Sequence, residues 1–260
     1  MYARNYLHAE DFPAGTAASG ANGPGAMATI LLAHGAWSAA WAWKKMRPLM
    51  VASGHVFLTP TYTGLGVHAD QATPAVDLDA HIEDVRRVLY YEDLRDVVLL
   101  GHSYGGMVAT GVADRARAQI ARLIYLDAFV PKNGQSLNDL VPPEQREKTR
   151  LAVENGDGWR VPPNPSPADT SPEDLAWLVE RRVAQPVKCF EQPLILQNGD
   201  LTLPRHYIRA TKYTAGPFVQ FAEHARTEPG WTYHEIDSSH SPNVTAPDAL
   251  MTLLNAIIAG

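Results

Sequence analysis

Asp96-Val-Val-Leu-Leu-Gly-His-Ser-Tyr-Gly-Gly-Met-Val-Ala-Thr110 is the stretch around which the rest of the 260-residue chain is organised. Val97 to Leu100 is a short apolar run without polar alternation, as expected of a strand in a parallel sheet covered on both faces. The run stops at Gly101-His102-Ser103-Tyr104-Gly105, a G-x-S-x-G sequence, and Met107 to Ala118 then carries a helical pattern. The five letters alone recur by accident in roughly one chain in ten of this length. A buried strand before them and a helix after them make the stretch a nucleophile elbow. There the glycines allow a turn that would crowd any Cβ, and the serine is pushed out at the top of the sheet. Ser103 is the expected nucleophile, against the alternative of a glycine-rich turn with an idle serine.

The neighbouring segments extend this unit into a layered fold. Met27 to Ala33 reads as a strand and ends in His34-Gly35-Ala36-Trp37. In that place the backbone N–H of Ala36 is expected to form an oxyanion hole together with that of Tyr104, just after the nucleophile. Trp41 to Val51 is helical in pattern, and His55 to Pro60 is a strand. Asp77 opens a helix in which Leu78, Ile82, Val85, Val88 and Leu89 recur at three- and four-residue spacing. Ile120 to Leu126 is a further buried strand that runs into Asp127-Ala-Phe-Val-Pro131. Such alternation implies a parallel sheet with right-handed crossovers, hence an α/β fold.

The second half reads differently. Pro142, Pro143, Pro162, Pro163, Pro165, Pro167 and Pro172 crowd a stretch also punctuated by Trp159, Leu175, Trp177, Leu178 and Phe190. So many prolines argue against regular core structure, and the segment is read as a cap inserted over the catalytic end of the sheet. A strand at 206–211, a helix at 217–225 and a strand at 231–236 resume the core. Thr245 then stands as N-cap of a last helix with Asp248 at N3 and Leu250 to Ile258 as its body. The expected organisation is a flexible, Gly/Ala/Pro-rich leader at 1–26, core at 27–132, cap at 133–203 and core again at 204–260.

A serine nucleophile needs a base with pKa near neutrality, which histidine supplies. Of ten histidines, His240 lies on the loop between the last strand and the last helix, where such a chain returns to the nucleophile. His102 and His34 are read as structural hydrogen bonders, with His34 also a candidate substrate contact beside the oxyanion donor. Asp127, which closes the strand after the elbow unit, is the candidate acid; the alternative is that it only caps a loop. The loop after strand 206–211, Thr211-Lys-Tyr-Thr-Ala-Gly-Pro217, holds no carboxylate. Asp200 lies too early and Asp237 too close to His240. Trp37, Phe129 and Trp159 are further candidates for contact with the substrate.

The formal charge of −6 argues against a nucleic-acid partner, which wants a basic face, and no apolar run is long enough to span a membrane. The single cysteine, Cys189, excludes a disulfide framework and is read as structural rather than reactive. The N-terminus lacks a charged start followed by an apolar stretch, so a cytoplasmic location is expected. No metal or organic cofactor is expected. The expected partner is a small-molecule ester, and a homodimer is compatible with the sequence.

These residues resemble the α/β-hydrolase superfamily over essentially residues 27 to 260. Leu32-Ala-His-Gly-Ala-Trp37, Gly101-His-Ser-Tyr-Gly-Gly-Met-Val108, Tyr125-Leu-Asp-Ala-Phe-Val-Pro131 and Ser239-His-Ser-Pro-Asn-Val-Thr-Ala-Pro247 resemble a narrower group. It holds plant methylesterases, hydroxynitrile lyases and bacterial esterases of pyrethroid-hydrolase type. The resemblance implies an ester hydrolase working through an acyl-enzyme, with a lyase, a C–C bond hydrolase or a non-catalytic receptor as alternatives on the same scaffold. Two departures stand out. Plant members carry their acid after the later strand, where this chain has Lys212 and Tyr213; an acid after the earlier strand resembles haloalkane dehalogenases, whose nucleophile is Asp. Hydroxynitrile lyases place a lysine after the catalytic histidine and a threonine by the oxyanion site, where this chain has Ser241 and Gly35-Ala36.

Overall fold

In the computed structural model, residues 27–199, 201–214 and 216–260 are described; the expected leader, 1–26, and Asp200 lie outside the described residues. The strands in chain order are β1 (Thr29–Ala33), β2 (Val56–Leu58), β3 (Val97–His102) and β4 (Ile120–Leu126), then the short β5 (Arg160–Val161) and β6 (Gln185–Pro186), and finally β7 (Arg205–Ala210) and β8 (Trp231–Ile236). The first helices are α1 (Met46–Ala52), α2 (Leu78–Tyr91), α3 (Gly105–Arg115) and α4 (Pro143–Glu154). They are followed by α5 (Pro172–Val179), α6 (Lys188–Glu191), α7 (Val219–Thr227), α8 (Pro242–Thr245) and α9 (Pro247–Ala259).

Six strands form one sheet in the order β2-β1-β3-β4-β7-β8, every neighbouring pair parallel. Side chains alternate across a strand, so each strand feeds two cores. Leu31, Leu99, Leu123, Tyr125 and Tyr207 pack under α2 and α3. Ile30, Leu32, Leu100, Ile124 and Ile208 pack on the other face with α1 and α9. Both faces are therefore covered, which is why β3 is buried at every position and reads as an unbroken apolar run. The expected α/β architecture, a parallel sheet flanked by helices with an insertion before β7, is the one observed.

Strand register sets the site. His102 of β3 pairs with Leu126 of β4, Leu126 with Ile208 of β7, and Ala210 with Ile236 of β8. Ser103, Asp127, the 211–217 loop and the 237–241 loop thus leave the sheet along one edge. Helix α3 starts so close to this edge that a Cβ on Gly105 would lie 1.9 Å from the Ala33 carbonyl oxygen, and one on Gly106 would lie 2.0 Å from that of Phe129. Both positions have to be glycine.

Several local expectations need correction. The helical stretch expected over 41–51 is a 3₁₀ turn, Ala40–Trp43, followed by α1. Pro48 cannot donate to the Lys44 carbonyl, so the α-helix starts late enough to keep Pro48 in its first turn. Thr245 is not the N-cap of the last helix. Pro247 occupies its first position and Ala246 the cap, with no side-chain bond. The Thr245 hydroxyl instead donates to the Ser241 carbonyl at 3.2 Å and meets that of Ser238 at 2.9 Å. Prolines also do not empty the insertion of regular structure, because Pro143 and Pro172 open α4 and α5 at their first positions. The insertion contacts the core through the Lys45–Asp174 ion pair at 2.7 Å and the edge-on packing of Trp41 and Trp177. No described helix is long and apolar enough to cross a membrane.

Candidate active site

Ser103 sits at the tip of the turn between β3 and α3 with φ of 56°, a left-handed conformation costly for a side chain bearing Cβ. Its backbone is held on both sides. Its N–H donates to the Leu126 carbonyl, and its own carbonyl accepts from Gly106 and Phe129. The Ser103 hydroxyl lies 2.9 Å from Nε2 of His240, whose Nδ1 lies 2.7 Å from Oδ2 of Asp127. With the carboxylate ionised, Nδ1 carries the proton and donates it, and Nε2 is left to accept from the hydroxyl. Asp127 is fully buried, with φ of 40°, and its N–H donates to the Ile208 carbonyl at 2.8 Å. The His240 ring lies parallel to Phe218 at 4.8 Å, and its backbone carbonyl accepts from His102 Nε2 at 2.7 Å.

Asp127 also forms a buried ion pair with Arg209 of β7, whose guanidinium donates further to the Tyr213 carbonyl. A carboxylate without water needs a partner, and Arg209 supplies it while tying down the loop that holds no carboxylate. Sequence reading missed this residue. The available signal was an arginine in a central strand next to Tyr207 and Ile208, where a charge has to be paired.

Beneath the 34–37 loop lies a buried layer of His34, Tyr62, His81 and Tyr104. His34 stacks on Tyr62 at 3.7 Å, and Tyr62 stacks on His81 at 4.7 Å. His34 Nδ1 donates to the Gly35 carbonyl and Nε2 accepts from the Tyr62 N–H; His81 Nε2 donates to the Thr63 carbonyl and Nδ1 accepts from the Tyr104 hydroxyl. Each ring is thus satisfied as a neutral imidazole. Burial lowers His34 to about 3, His81 to about 4 and His102 to about 3, from an ordinary 6.5. An unfolded chain takes up these protons near pH 6.5, whereas the folded chain refuses them until far lower. Stability is therefore complete above that value and falls as pH drops from 6.5 towards 4, by up to about 1.4 kcal/mol per pH unit for each ring. Urea midpoints at pH 8.5, 7.5 and 5.5 are expected to be level and then to decline; a flat series would refute this account. Cys189 lies in the same region, its thiol pushed up to about 12 by burial, which makes it inert.

Above Ser103 opens a cavity of about 260 Å³ between the sheet edge and the insertion. Ala36, Trp37, Tyr104 and Phe129 line it, as do the insertion residues Val161 and Leu178. Among the described residues, neither the Ala36 nor the Tyr104 N–H donates to a protein acceptor. Trp37, with φ of 57°, is fastened by its N–H to Oε1 of Gln185 at 3.0 Å and by Nε1 to the Val161 carbonyl at 2.9 Å. Two expected substrate contacts are corrected. His34 is fully buried below the loop and lines no part of the cavity, because its ring serves the Tyr62 stack. Trp159 also lies away from the cavity, its ring covered by Arg160. Arg182, Tyr213 and Phe218 line the cavity and were not singled out from the sequence. No cluster of three His, Cys, Asp or Glu among the described residues could hold a metal ion.

Comparison with known proteins places this geometry in context. The profile described as Alpha/beta hydrolase family matches residues 30–253. A carbendazim hydrolyzing esterase of Nocardioides sp. (strain SG-4G) is 36% identical over 241 residues, covering 89% of this chain and 100% of the relative. Methylesterase 8 of Arabidopsis thaliana is 28% identical over 41% of this chain and 40% of its own length. Among solved structures, an extracellular alpha/beta-hydrolase from a Paenibacillus species superposes with a TM-score of 0.77 at 24% identity, covering 90% of this chain and 99% of the other. A pyrethroid hydrolase from Sphingobium faniae JZ-2 does so with 0.71 at 23% identity, covering 90% and 98%. Both share the fold.

Proposed function

The chain belongs to the Alpha/beta hydrolase family, and on that premise we propose that it is a serine esterase cleaving a small, largely apolar carboxylic ester. The observation that carries this reading is the continuous hydrogen-bonded chain from Ser103 through His240 to Asp127, opening into a mostly apolar cavity. Ser103 Oγ attacks the ester carbonyl carbon as its proton passes to His240 Nε2. Asp127 stabilises the imidazolium and keeps the ring in its productive tautomer. The charge that develops on the carbonyl oxygen is met by the Ala36 and Tyr104 N–H groups; one such donor is worth about 10²–10³ in rate. His240 returns the proton to the departing alkoxide, leaving Ser103 acylated. Water deprotonated by His240 then releases the acid. The small cavity suits a compact ester, and the 36%-identical relative makes carbendazim a first compound to try.

The test is direct. Wild-type protein turning over p-nitrophenyl butyrate and quenched in acid is expected to carry a butyryl group on Ser103, located by peptide mass spectrometry. Turnover with the acyl group on another residue, or no turnover with any short-chain ester, would sink the reading and bring forward a lyase on the same scaffold.

A further inference from the structure

The cavity above Ser103 has one permanently charged side chain among its described lining residues, Arg182. It lies on the insertion between α5 and β6. Its neighbour Arg181 pairs with Glu180 at 2.9 Å, whereas no carboxylate among the described residues pairs with Arg182. Its guanidinium stands over the Trp37 ring, 5.7 Å from the centroid, and Nη1 donates to the Asn164 carbonyl at 2.6 Å. Among the described residues, the Nε and Nη2 donors have no protein acceptor. Trp37 is itself pinned by Gln185 and Val161, so the platform under the guanidinium is fixed.

Arg182 is half-buried at the cavity wall, and the partial loss of water there, uncompensated by a counter-charge among the described residues, lowers its pKa. Packing against Trp37 alone would be served as well by leucine or methionine. The fork of guanidinium donors matches a planar pair of oxygens. Trp37 directly follows Ala36, so the ring under Arg182 belongs to the loop that carries one of the donors proposed for the oxyanion.

We propose that Arg182 determines specificity by binding a carboxylate carried by the substrate away from the ester, so that the preferred substrates are monoanionic half-esters of short dicarboxylic acids. This rests on the esterase reading for the bond cleaved, and it gives the otherwise apolar ester of that reading one anionic end. The anion contact itself is a binding property that turnover is not needed to measure.

The experiment is calorimetric titration of the Ser103→Ala protein with monomethyl glutarate and with its neutral counterpart, dimethyl glutarate. The half-ester is expected to bind at least about tenfold more tightly, as a charge-assisted pair would require, and to lose that advantage in 0.5 M salt. Arg182→Gln in the same background is expected to bring the two affinities together, and Arg182→Lys to restore part of the difference. Equal binding of the two esters by the Arg182 protein would overturn the proposal, and so would an advantage that persists in Arg182→Gln. Should Arg182→Gln not fold, the salt dependence and Arg182→Lys still decide. Failure of wild-type protein to hydrolyse p-nitrophenyl butyrate would count against the esterase reading, whereas failure of the binding difference would count against Arg182 alone.

Discussion

Replacing Ser103 with alanine is expected to lower kcat/KM for p-nitrophenyl butyrate by at least about 10⁴-fold while leaving the fold in place. The size follows from what is lost: without Oγ no covalent intermediate can form, and residual catalysis comes only from the oxyanion donors and from binding. The fold is spared because the strain at this turn is a backbone property. Alanine bears the same Cβ at φ of 56°, and the bonds that hold the turn run through the Ser103 backbone to Leu126, Gly106 and Phe129. Steady-state rates and the thermal midpoint measured on one preparation check both halves. Activity within tenfold of wild type would mean that Ser103 is not the nucleophile. Equal loss of structure would mean that the hydroxyl is part of the scaffold.

Asp127→Asn is expected to cost about 10³–10⁴ in kcat/KM and, unlike the serine change, to destabilise the protein by roughly 3 kcal/mol. Two separate roles are removed. An amide that donates to His240 Nδ1 turns the imidazole to the tautomer with Nε2 protonated, which cannot take the Ser103 proton. Arg209, buried beside Asp127, also loses its counter-charge. Breaking one side of a buried pair leaves the other charge uncompensated, and this drives the loss of stability. The joint deficit separates an acid that orients the histidine from one that only caps a loop: the loop role predicts lost stability with near-normal turnover in the folded fraction. Rates at saturating substrate alongside urea midpoints make the distinction.

Much of the fold was legible because its determinants are local. The apolar run Val97–Leu100 announced a strand covered on both faces, and all six residues of β3 are buried. Asp77 announced a helix start, and its side chain accepts from the Ala80 N–H. The motif brought Ser103 into consideration, and chain position did the same for Asp127, directly after β4, and for His240, on the loop that follows β8. Where local reading failed, a proline was usually responsible. Pro48 delayed α1, Pro247 took the first position of α9 from the register that Thr245 suggested, and Pro143 and Pro172 started helices in a segment that looked irregular.

The elbow and the alternation of strands and helices around it follow from the sequence, because the glycines at 105 and 106 and the strand before them admit one backbone path. Tertiary structure alone decided which distant charges meet. Asp127 and Arg209 are 82 residues apart yet form one ion pair, because β4 and β7 are adjacent in register. Trp37 is reached by Gln185 and Val161 from the insertion, 148 and 124 residues away, while Trp159 next to them turns elsewhere. Side-chain type and spacing carry no information about such pairings. They arise only once the insertion has folded back over the sheet edge and burial has forced each charge to find, or to be left without, a partner.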